Sequence, residues 1–217
     1  MDIELVQFSI VVVANEHNPS LINPDFLERE GIIDAKWRWK RSGDAITTPP
    51  FATLSYDSGV TITVETNKLQ VVDQGCETPA QSHLADIVNR YIDVLPHVPY
   101  IAVGINFNGA VKLPSPGSYI KKHFFKEGKW DSDETPLDTV GLKFVYSHYR
   151  DRVILTIDQA HKVGDKNDEA ILANANFHRE CDKGMPVKDQ IHSFVNKIEA
   201  DWKYYIALVS DVLNEGA

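Results

Sequence analysis

The sequence has little of what disulfide scaffolds, membrane spans and cationic surfaces need. Its 217 residues contain two cysteines and no Cys-x-x-Cys spacing, so nothing in it requires a disulfide. No run of about 18 apolar residues occurs, and we therefore expect no membrane span. Lys and Arg number 22 against 31 Asp and Glu, which gives a net charge of −9. Because phosphate affinity needs a cationic field, nucleic acid is an unfavourable partner, and so is an anionic membrane.

The N-terminus lacks the features of a secretory signal. It opens Met1-Asp2-Ile3-Glu4, without the basic residues that begin a signal peptide. The first apolar run, at 10–14, is too short for the hydrophobic region of a signal and is typical of a strand. Together with the low cysteine content, these features predict a reduced, cytoplasmic setting.

Motifs that specify a reaction are missing as well. The sequence has no Gly-x-x-x-x-Gly-Lys, no Gly-x-Gly-x-x-Gly, no His-Glu-x-x-His and no Gly-x-Ser-x-Gly. No zinc-finger spacing occurs either. We therefore expect no metal and no cofactor. The missing motifs favour a protein that is not an enzyme, but they do not decide the question.

The patterns that are present predict an α+β fold in a single domain over 1–217. Two long helical patterns lie at 79–95 and 187–214, and a shorter one lies within 114–126. Period-two alternation predicts strands at 5–14, 51–72 (a meander), 100–113, 140–149, 152–161 and 170–180. Short connections favour mainly antiparallel sheets covered by helices, with a long amphipathic helix at the C-terminus.

The two halves of the chain suggest a diverged repeat. The sequence GINFN at 104–108 is similar to NANFH at 174–178. This similarity predicts pseudo-repeat halves at 1–113 and 138–217, joined by 114–137.

One predicted sheet face collects polar side chains. Successive strand residues point to opposite faces, so residues of one parity can be grouped. If the hairpin turns lie at 150–151 and 164–168, Thr156 lies opposite Asn176 and Asp158 opposite Asn174. The candidate binding residues on this face are Asp158, Asn174, Asn176, His178 and Glu180, together with Asn106 and Asn108.

This polar face has two interpretations. Its carboxylates and histidine could perform acid–base or metal chemistry, or the face could bind a small ligand. It could equally be the solvated side of a one-sided antiparallel sheet, which is polar anyway. Asparagine is a poor strand former, so four asparagines in strands favour a function. By parity, His148 and His178 point to opposite faces, so we do not expect them to share a metal.

A short pattern near the N-terminus resembles a nuclease motif. Pro24-Asp25 followed by Asp34-Ala35-Lys36 resembles the Pro-Asp … Asp/Glu-x-Lys pattern of metal-dependent restriction-type nucleases. The resemblance covers about a dozen residues and implies that Asp25 and Asp34 bind a divalent ion while Lys36 assists the attacking water. Pro24-Asp25 is, however, more typical of a helix start than of the strand end that this chemistry needs.

The only concentrated basic stretch is Lys36-Trp37-Arg38-Trp39-Lys40-Arg41. Tryptophans between cations could stack on nucleic-acid bases. The period-two alternation favours a different interpretation, an edge strand whose tryptophans face inward while its cations face outward.

These observations favour a non-enzymatic, acidic interaction protein. It would be a subunit of a complex, or an inhibitor or antitoxin-like partner of a basic protein, and could also bind a second copy of itself. The predicted interaction surfaces are acidic loops at 131–138 and 165–169 and the surplus apolar surface of the last helix at 204–209. The alternatives are a metal-dependent hydrolase or nuclease, or a small-ligand binder using the polar sheet face.

Overall fold

The computed structural model describes residues 2–126, 128–134, 136–162 and 165–214, with backbone alone for 162 and 165–168. Within these residues one antiparallel sheet has the strand order β2-β3-β4-β5-β1-β6-β9-β8-β7. The strands are β1 (Glu4–Ala14), β2 (Ile46–Thr48), β3 (Phe51–Ser55), β4 (Val60–Glu65), β5 (Lys68–Asp73), β6 (Tyr100–Lys112), β7 (Gly141–His148), β8 (Asp151–Lys162) and β9 (Asp165–Glu180).

Helices complete an α+β fold, as predicted. They are α1 (Pro24–Arg29), α2 (Leu84–Val94), α3 (Pro116–Phe124), α4 (Val187–Val195) and α5 (Ile198–Asn214), with short 3₁₀ helices at Pro19–Leu21, Ala35–Trp37 and Pro79–Gln81. Among the residues the structure describes, no helix is long and apolar enough to cross a membrane.

The core lies between the helices and one face of the sheet. In β1 the residues Phe8, Ile10 and Val12 are at most 1% exposed, while the intervening Val11 is only half-buried. The same alternation occurs in β4, β5, β8 and β9, because strand side chains alternate between the two faces. The helices α2, α3, α4 and α5 contact the sheet on its apolar side. The other side has no helix over it in the described part of the chain, and we call it the open face.

The same order of elements occurs in residues 4–94 and 100–214. Each segment has one strand, a helix, a meander and a further helical segment, and the meander has four strands (β2 to β5) in the first segment and three (β7 to β9) in the second. The first strands of the two segments, β1 and β6, pair at the sheet centre. The predicted halves differ from this division, because the boundary at 113 places β6 in the first half. The similar sequences at 104–108 and 174–178 do not occupy equivalent positions in this division. Both lie in the segment 100–214, where β6 and β9 pair with each other.

The predicted C-terminal helix over 187–214 is wrong in one respect, because it is two helices. α4 ends at Val195, where the Asn196 N–H donates to His192 O (2.9 Å), and α5 begins at Ile198. The break allows the Lys197 ammonium to bind the buried carboxylate of Asp151 in β8. A single apolar stripe crosses both helices, so the pattern alone could not reveal the break.

The predicted edge strand over 36–41 is also wrong. Asp34 caps a 3₁₀ turn at Ala35–Trp37, and Arg38 follows in the left-handed region with φ 56°. Only Arg41 forms a bridge, to Tyr56. The alternation of tryptophan and cation arises here from a turn rather than from a strand.

The connection predicted at 164–168 is shorter than expected. β8 extends to Lys162 and β9 begins at Asp165, so the acidic run at 165–169 starts a strand and is not a loop. Residues 163 and 164 lie outside the described residues. In the acidic loop predicted at 131–138, residue 135 also lies outside them; the rest has no strand or helix.

Candidate functional site

The open face is best described as rows of residues that lie opposite one another across the strands. The middle row crosses eight strands and is formed by Ser55, Thr61, Val72, Ser9, Asn106, Asn176, Ile154 and Val145. Most of these side chains are half-buried, because in a sheet each one is flanked by its neighbours. The middle row contains no charged residue.

Side chains along the middle row are hydrogen-bonded to one another. The Asn176 amide donates to Asn106 Oδ1 (2.7 Å), and the Asn106 amide donates to Ser9 Oγ (3.1 Å). Further along the row, Ser55 and Thr61 share a hydroxyl–hydroxyl bond of 3.0 Å. These contacts fix the side chains of the row in one arrangement.

The rows on either side are also free of carboxylates. One contains Thr53, Thr63, Gln70, Val11, Gly104, His178, Arg152 and Ser147, and the other contains Gln7, Asn108, Asn174, Thr156 and Lys143. We call these three rows the central rows. Their only permanent charges are the cations Arg152 and Lys143, both near the β7 edge. Carboxylates begin in the outer rows, where Glu65, Glu180 and Asp158 lie.

The structure brings five of the seven candidate residues together and separates the other two. Asn106, Asn108, Asn174, Asn176 and His178 lie in the central rows. Asp158 lies opposite Leu172, which is eight residues from Glu180 along β9 and therefore about 27 Å away. The two carboxylates cannot act on the same small substrate.

The predicted pairing of β8 with β9 is wrong by two residues. Thr156 lies opposite Asn174, and Asn176 lies opposite Ile154. The register changes at a bulge between His161 and Lys162, next to the short connection. The residues keep their faces because a two-residue shift preserves parity.

His148 and His178 lie on opposite faces of the sheet. The His148 ring stacks on Tyr204 of α5, with 3.9 Å between ring centroids. His178 lies on the open face between Gly104 of β6 and Arg152 of β8. The two imidazoles therefore cannot hold one metal.

A cleft at the end of β8 and β9 contains two candidate residues, His178 and Glu180. It has a volume of about 490 Å³, and it is lined by both cations and carboxylates. Two of its arginines are already paired, Arg150 with Asp182 and Arg179 with Asp151. The cleft therefore offers little uncompensated charge to an anionic ligand.

The nuclease-like residues form a helix-capping arrangement. One Asp34 oxygen accepts the Lys36 N–H (2.9 Å), and the other accepts from Arg90 (3.1 Å). The Lys36 N–H, followed by Arg90, lowers the pKa of Asp34. Asp25 is exposed in the first turn of α1. Among the described residues, no group of three or more His, Cys, Asp or Glu side chains could hold a metal ion.

The tryptophans of the basic stretch pack against other rings. Trp37 stacks on His83 with 4.3 Å between centroids, and Trp39 lies 4.8 Å from Trp37. The Arg90 guanidinium lies over Trp37 at 5.2 Å. Because these rings already contact one another and the core, they do not form a free surface for stacking bases.

The last helix offers less apolar surface than its sequence suggests. Its residues Ile198, Tyr205, Val209 and Leu213 are buried. No large apolar side chain of α5 is exposed among the residues that the structure describes, because those off the buried stripe are half-buried.

The two cysteines, Cys76 and Cys181, are free and half-buried. Burial raises the pKa of Cys76 to about 12 and also raises that of Cys181. Both are therefore protonated, poorly nucleophilic thiols at neutral pH.

The chain matches no known protein family, and no curated protein matches it in sequence. Its function has to be inferred from its own geometry.

Proposed function

We propose that the protein is a non-enzymatic subunit of a protein complex, and that it binds a second copy of its own chain through the open face. The observation that carries this proposal is the composition of the central rows, which hold no carboxylate in a chain with 31 Asp and Glu. Depletion of charge is the compositional mark of an interface core.

The net charge of −9 limits which surfaces of two copies can contact each other. Two acidic surfaces repel each other, and burying an unpaired carboxylate is costly. Contact through the central rows avoids both penalties. The cations Lys143 and Arg152 lie near the β7 edge, so a twofold axis parallel to the strands near β1 and β6 would keep the two pairs of cations apart.

The area of the central rows suits a stable dimer. Their 21 positions, spaced about 4.8 Å between strands and about 6.8 Å along them, cover about 700 Å². Stable interfaces bury about 800 Å² per partner. The asparagine, threonine and serine side chains both donate and accept hydrogen bonds, as a face that meets its own copy requires.

The hydrolase alternative has weaker support. Asp158 and Glu180 lie in opposite outer rows, and both oxygens of Asp34 are used by Lys36 and Arg90. A small ligand on the open face also has little support, since the cleft that includes His178 and Arg152 of the central rows offers it little uncompensated charge.

Three finer expectations accompany this proposal. The free cysteines are compatible with a cytoplasmic setting. The repeated order of elements supports an origin by duplication, with β1 and β6 as equivalent strands. The buried stripe of α5 supports an amphipathic C-terminal helix that serves as a core helix.

Sedimentation velocity between about 1 and 200 μM tests the proposal. We expect dimers in the wild type and at least tenfold weaker association in Thr63→Glu and Val145→Glu, which place carboxylates in the central rows at half-buried and exposed positions. Leu21→Glu is the matched control, at an exposed apolar position outside the sheet, and should keep wild-type association.

Two results would overturn the proposal. One is a strictly monomeric wild type at 200 μM. The other is a dimer that both carboxylate variants leave intact, because its interface must then lie elsewhere. Thermal unfolding of each variant shows whether a loss of association reflects a loss of folding.

A further inference from the structure

A cleft of about 800 Å³ lies at the end of α3, on elements that do not contribute to the open face. Its walls include Ser118 and Lys122 of α3, then Phe125 and Lys126, and finally Trp130. Ser118, Lys122 and Phe125 lie four and three residues apart, so they follow one side of the helix into the next segment. The volume is within the range of small-molecule sites.

Trp130 supplies an aromatic wall that solvent can reach. Its side chain is 41% exposed, although a large apolar ring gains free energy from burial. Phe125 contacts it, with 5.2 Å between ring centroids and 52° between ring planes. A Cβ at Gly128 would lie 2.6 Å from Trp130 Nε1, so a larger residue there would displace the indole. The ring therefore packs against Phe125 and remains open to solvent.

The segment after the cleft is tied back to α3. Lys121 Nζ donates to Leu137 O (2.6 Å) and lies 3.0 Å from the Asp131 carboxylate. Asp131 also accepts the Leu137 N–H (3.0 Å). These bonds lower the pKa of Asp131, with the Leu137 N–H as the first cause. Lys121 is thereby used for structure and is not available to a ligand.

Two further lysines of the cleft do not make structural contacts of this kind. Lys122 and Lys126 are exposed and make no hydrogen bond or ion pair to the part of the chain that the structure describes. Cations in the last turn of a helix offset its macrodipole, which accounts for Lys122. That effect does not account for Lys126, which lies beyond α3, nor for the exposed indole beside it.

We propose that this cleft binds a nucleotide, with the base stacked on Trp130 and the phosphates bound by Lys122 and Lys126. An exposed indole suits a planar ring, and two ammonium groups without a partner among the described residues suit an anion. The net charge of −9 favours a mononucleotide over a polymer, because a long polyanion would also meet the acidic remainder of the surface. This ligand differs from the expectation that the protein has no cofactor.

Isothermal titration calorimetry with ATP, AMP, adenosine and inorganic tripolyphosphate tests the proposal. We expect ATP to bind more tightly than adenosine or tripolyphosphate, since only ATP contacts both the indole and the lysines. The double variant Lys122→Gln/Lys126→Gln should weaken ATP binding at least tenfold. Trp130→Ala should weaken ATP binding by a similar factor and leave tripolyphosphate binding unchanged.

Matched controls isolate the cleft. Lys183→Gln removes one exposed lysine from the turn after β9 and should bind ATP as the wild type does. Gly128→Ala should reproduce the effect of Trp130→Ala by moving the indole. Thermal unfolding of each variant checks that the chain is folded.

Three results would overturn the proposal. The first is the absence of ATP binding at millimolar concentrations. The second is binding that survives loss of Lys122 and Lys126. The third is tripolyphosphate binding as tight as ATP and insensitive to Trp130→Ala, which would indicate an adventitious anion only. Tighter binding of a single-stranded oligonucleotide, with a steep salt dependence, would assign the cleft to nucleic acid instead.

Discussion

Asn106 of β6 lies directly opposite Asn176 of β9, and the Asn176 amide donates to Asn106 Oδ1 over 2.7 Å. Asn106 in turn donates to Ser9 of β1, so three side chains bridge three neighbouring strands at the centre of the open face. Asparagine is a poor strand former, and a half-exposed hydrogen bond contributes only about 0.5–1.5 kcal/mol to stability. Stability alone is therefore a weak reason for these amides.

Replacing both amides separates stability from binding. In Asn106→Val/Asn176→Val the lost hydrogen bonds are offset by better strand propensity, so we expect the free energy of unfolding to change by no more than about 1 kcal/mol. Self-association should weaken at least tenfold, because groups that pair with the second copy are gone. Urea unfolding at low protein concentration and sedimentation velocity measure the two effects. A loss of several kcal/mol with unchanged association would show that the amides serve the fold.

The sequence was sufficient to assign side chains to sheet faces but not to pair the strands. Alternation placed Asn174, Asn176 and His178 on one face because strand side chains have a period of two. Pairing depends on the turn and on any bulge, and the irregularity at His161 and Lys162 has no clear mark in the sequence. For this reason the sequence predicts Asp158 opposite Asn174, whereas the residue lies opposite Leu172.

Features that depend on distant contacts were also missed. The break after α4 is coupled to the ion pair of Lys197 with Asp151, which is far away in sequence. The cleft after α3 had a local signal that could have been noticed, since KKHFFKEGKW at 121–130 contains four lysines and three aromatic residues in an acidic chain. The acidic run that follows it led to the prediction of an acidic loop instead.

Asp151 is the most deeply buried carboxylate of an ion network. Its side chain is fully buried and accepts from Arg179 and from Lys197, which also lies 3.3 Å from Asp201. Removing one partner of such a group leaves uncompensated buried charge, so we expect Asp151→Ala to lower the free energy of unfolding by about 3–5 kcal/mol. Urea denaturation measures this change.

Asp182 provides the matched comparison for Asp151. It pairs with Arg150 at the surface, with side chains 59% and 62% exposed. Surface pairs contribute about 0–1 kcal/mol, so Asp182→Ala should cost less than about 1 kcal/mol. Equal effects of the two substitutions would contradict the importance of burial here.

Gly109 of β6 allows α5 to approach the sheet. A Cβ at this position would overlap with Tyr205 Oη and lie 2.8 Å from Ile3 Cγ2. The Tyr205 hydroxyl must reach this point, because it donates to Ala173 O (2.7 Å). We expect Gly109→Ala to destabilise the fold by about 1–3 kcal/mol through overpacking, measured by thermal or urea unfolding.

A double-mutant cycle tests the cause. Tyr205→Phe removes the overlapping oxygen at the cost of one buried hydrogen bond, about 1 kcal/mol. In the combination Gly109→Ala/Tyr205→Phe, the alanine should cost less than it does in the wild type. Strictly additive effects would show that the strain at Gly109 comes from Ile3 and not from the hydroxyl.

His17 makes the stability depend on pH. Its side chain is 3% exposed, with Nδ1 3.0 Å from Tyr91 Oη. Nε2 is buried and has no hydrogen-bond partner among the described residues. Burial lowers the pKa of His17 below its ordinary value of about 6.5, although the nearby Val12 backbone acts in the opposite direction.

The lowered pKa determines the sign of the effect. The unfolded chain takes up the proton first as pH falls, so the stability linked to neutral His17 is fully present above about pH 6.5 and is lost as pH falls towards the folded pKa. The loss cannot exceed about 1.4 kcal/mol per pH unit for one group. Urea unfolding at pH 5–8 should show a smaller pH slope in His17→Phe than in the wild type. His97→Gln, at an exposed position, should keep the wild-type slope. An unchanged slope in His17→Phe would mean that the acid sensitivity comes from other groups.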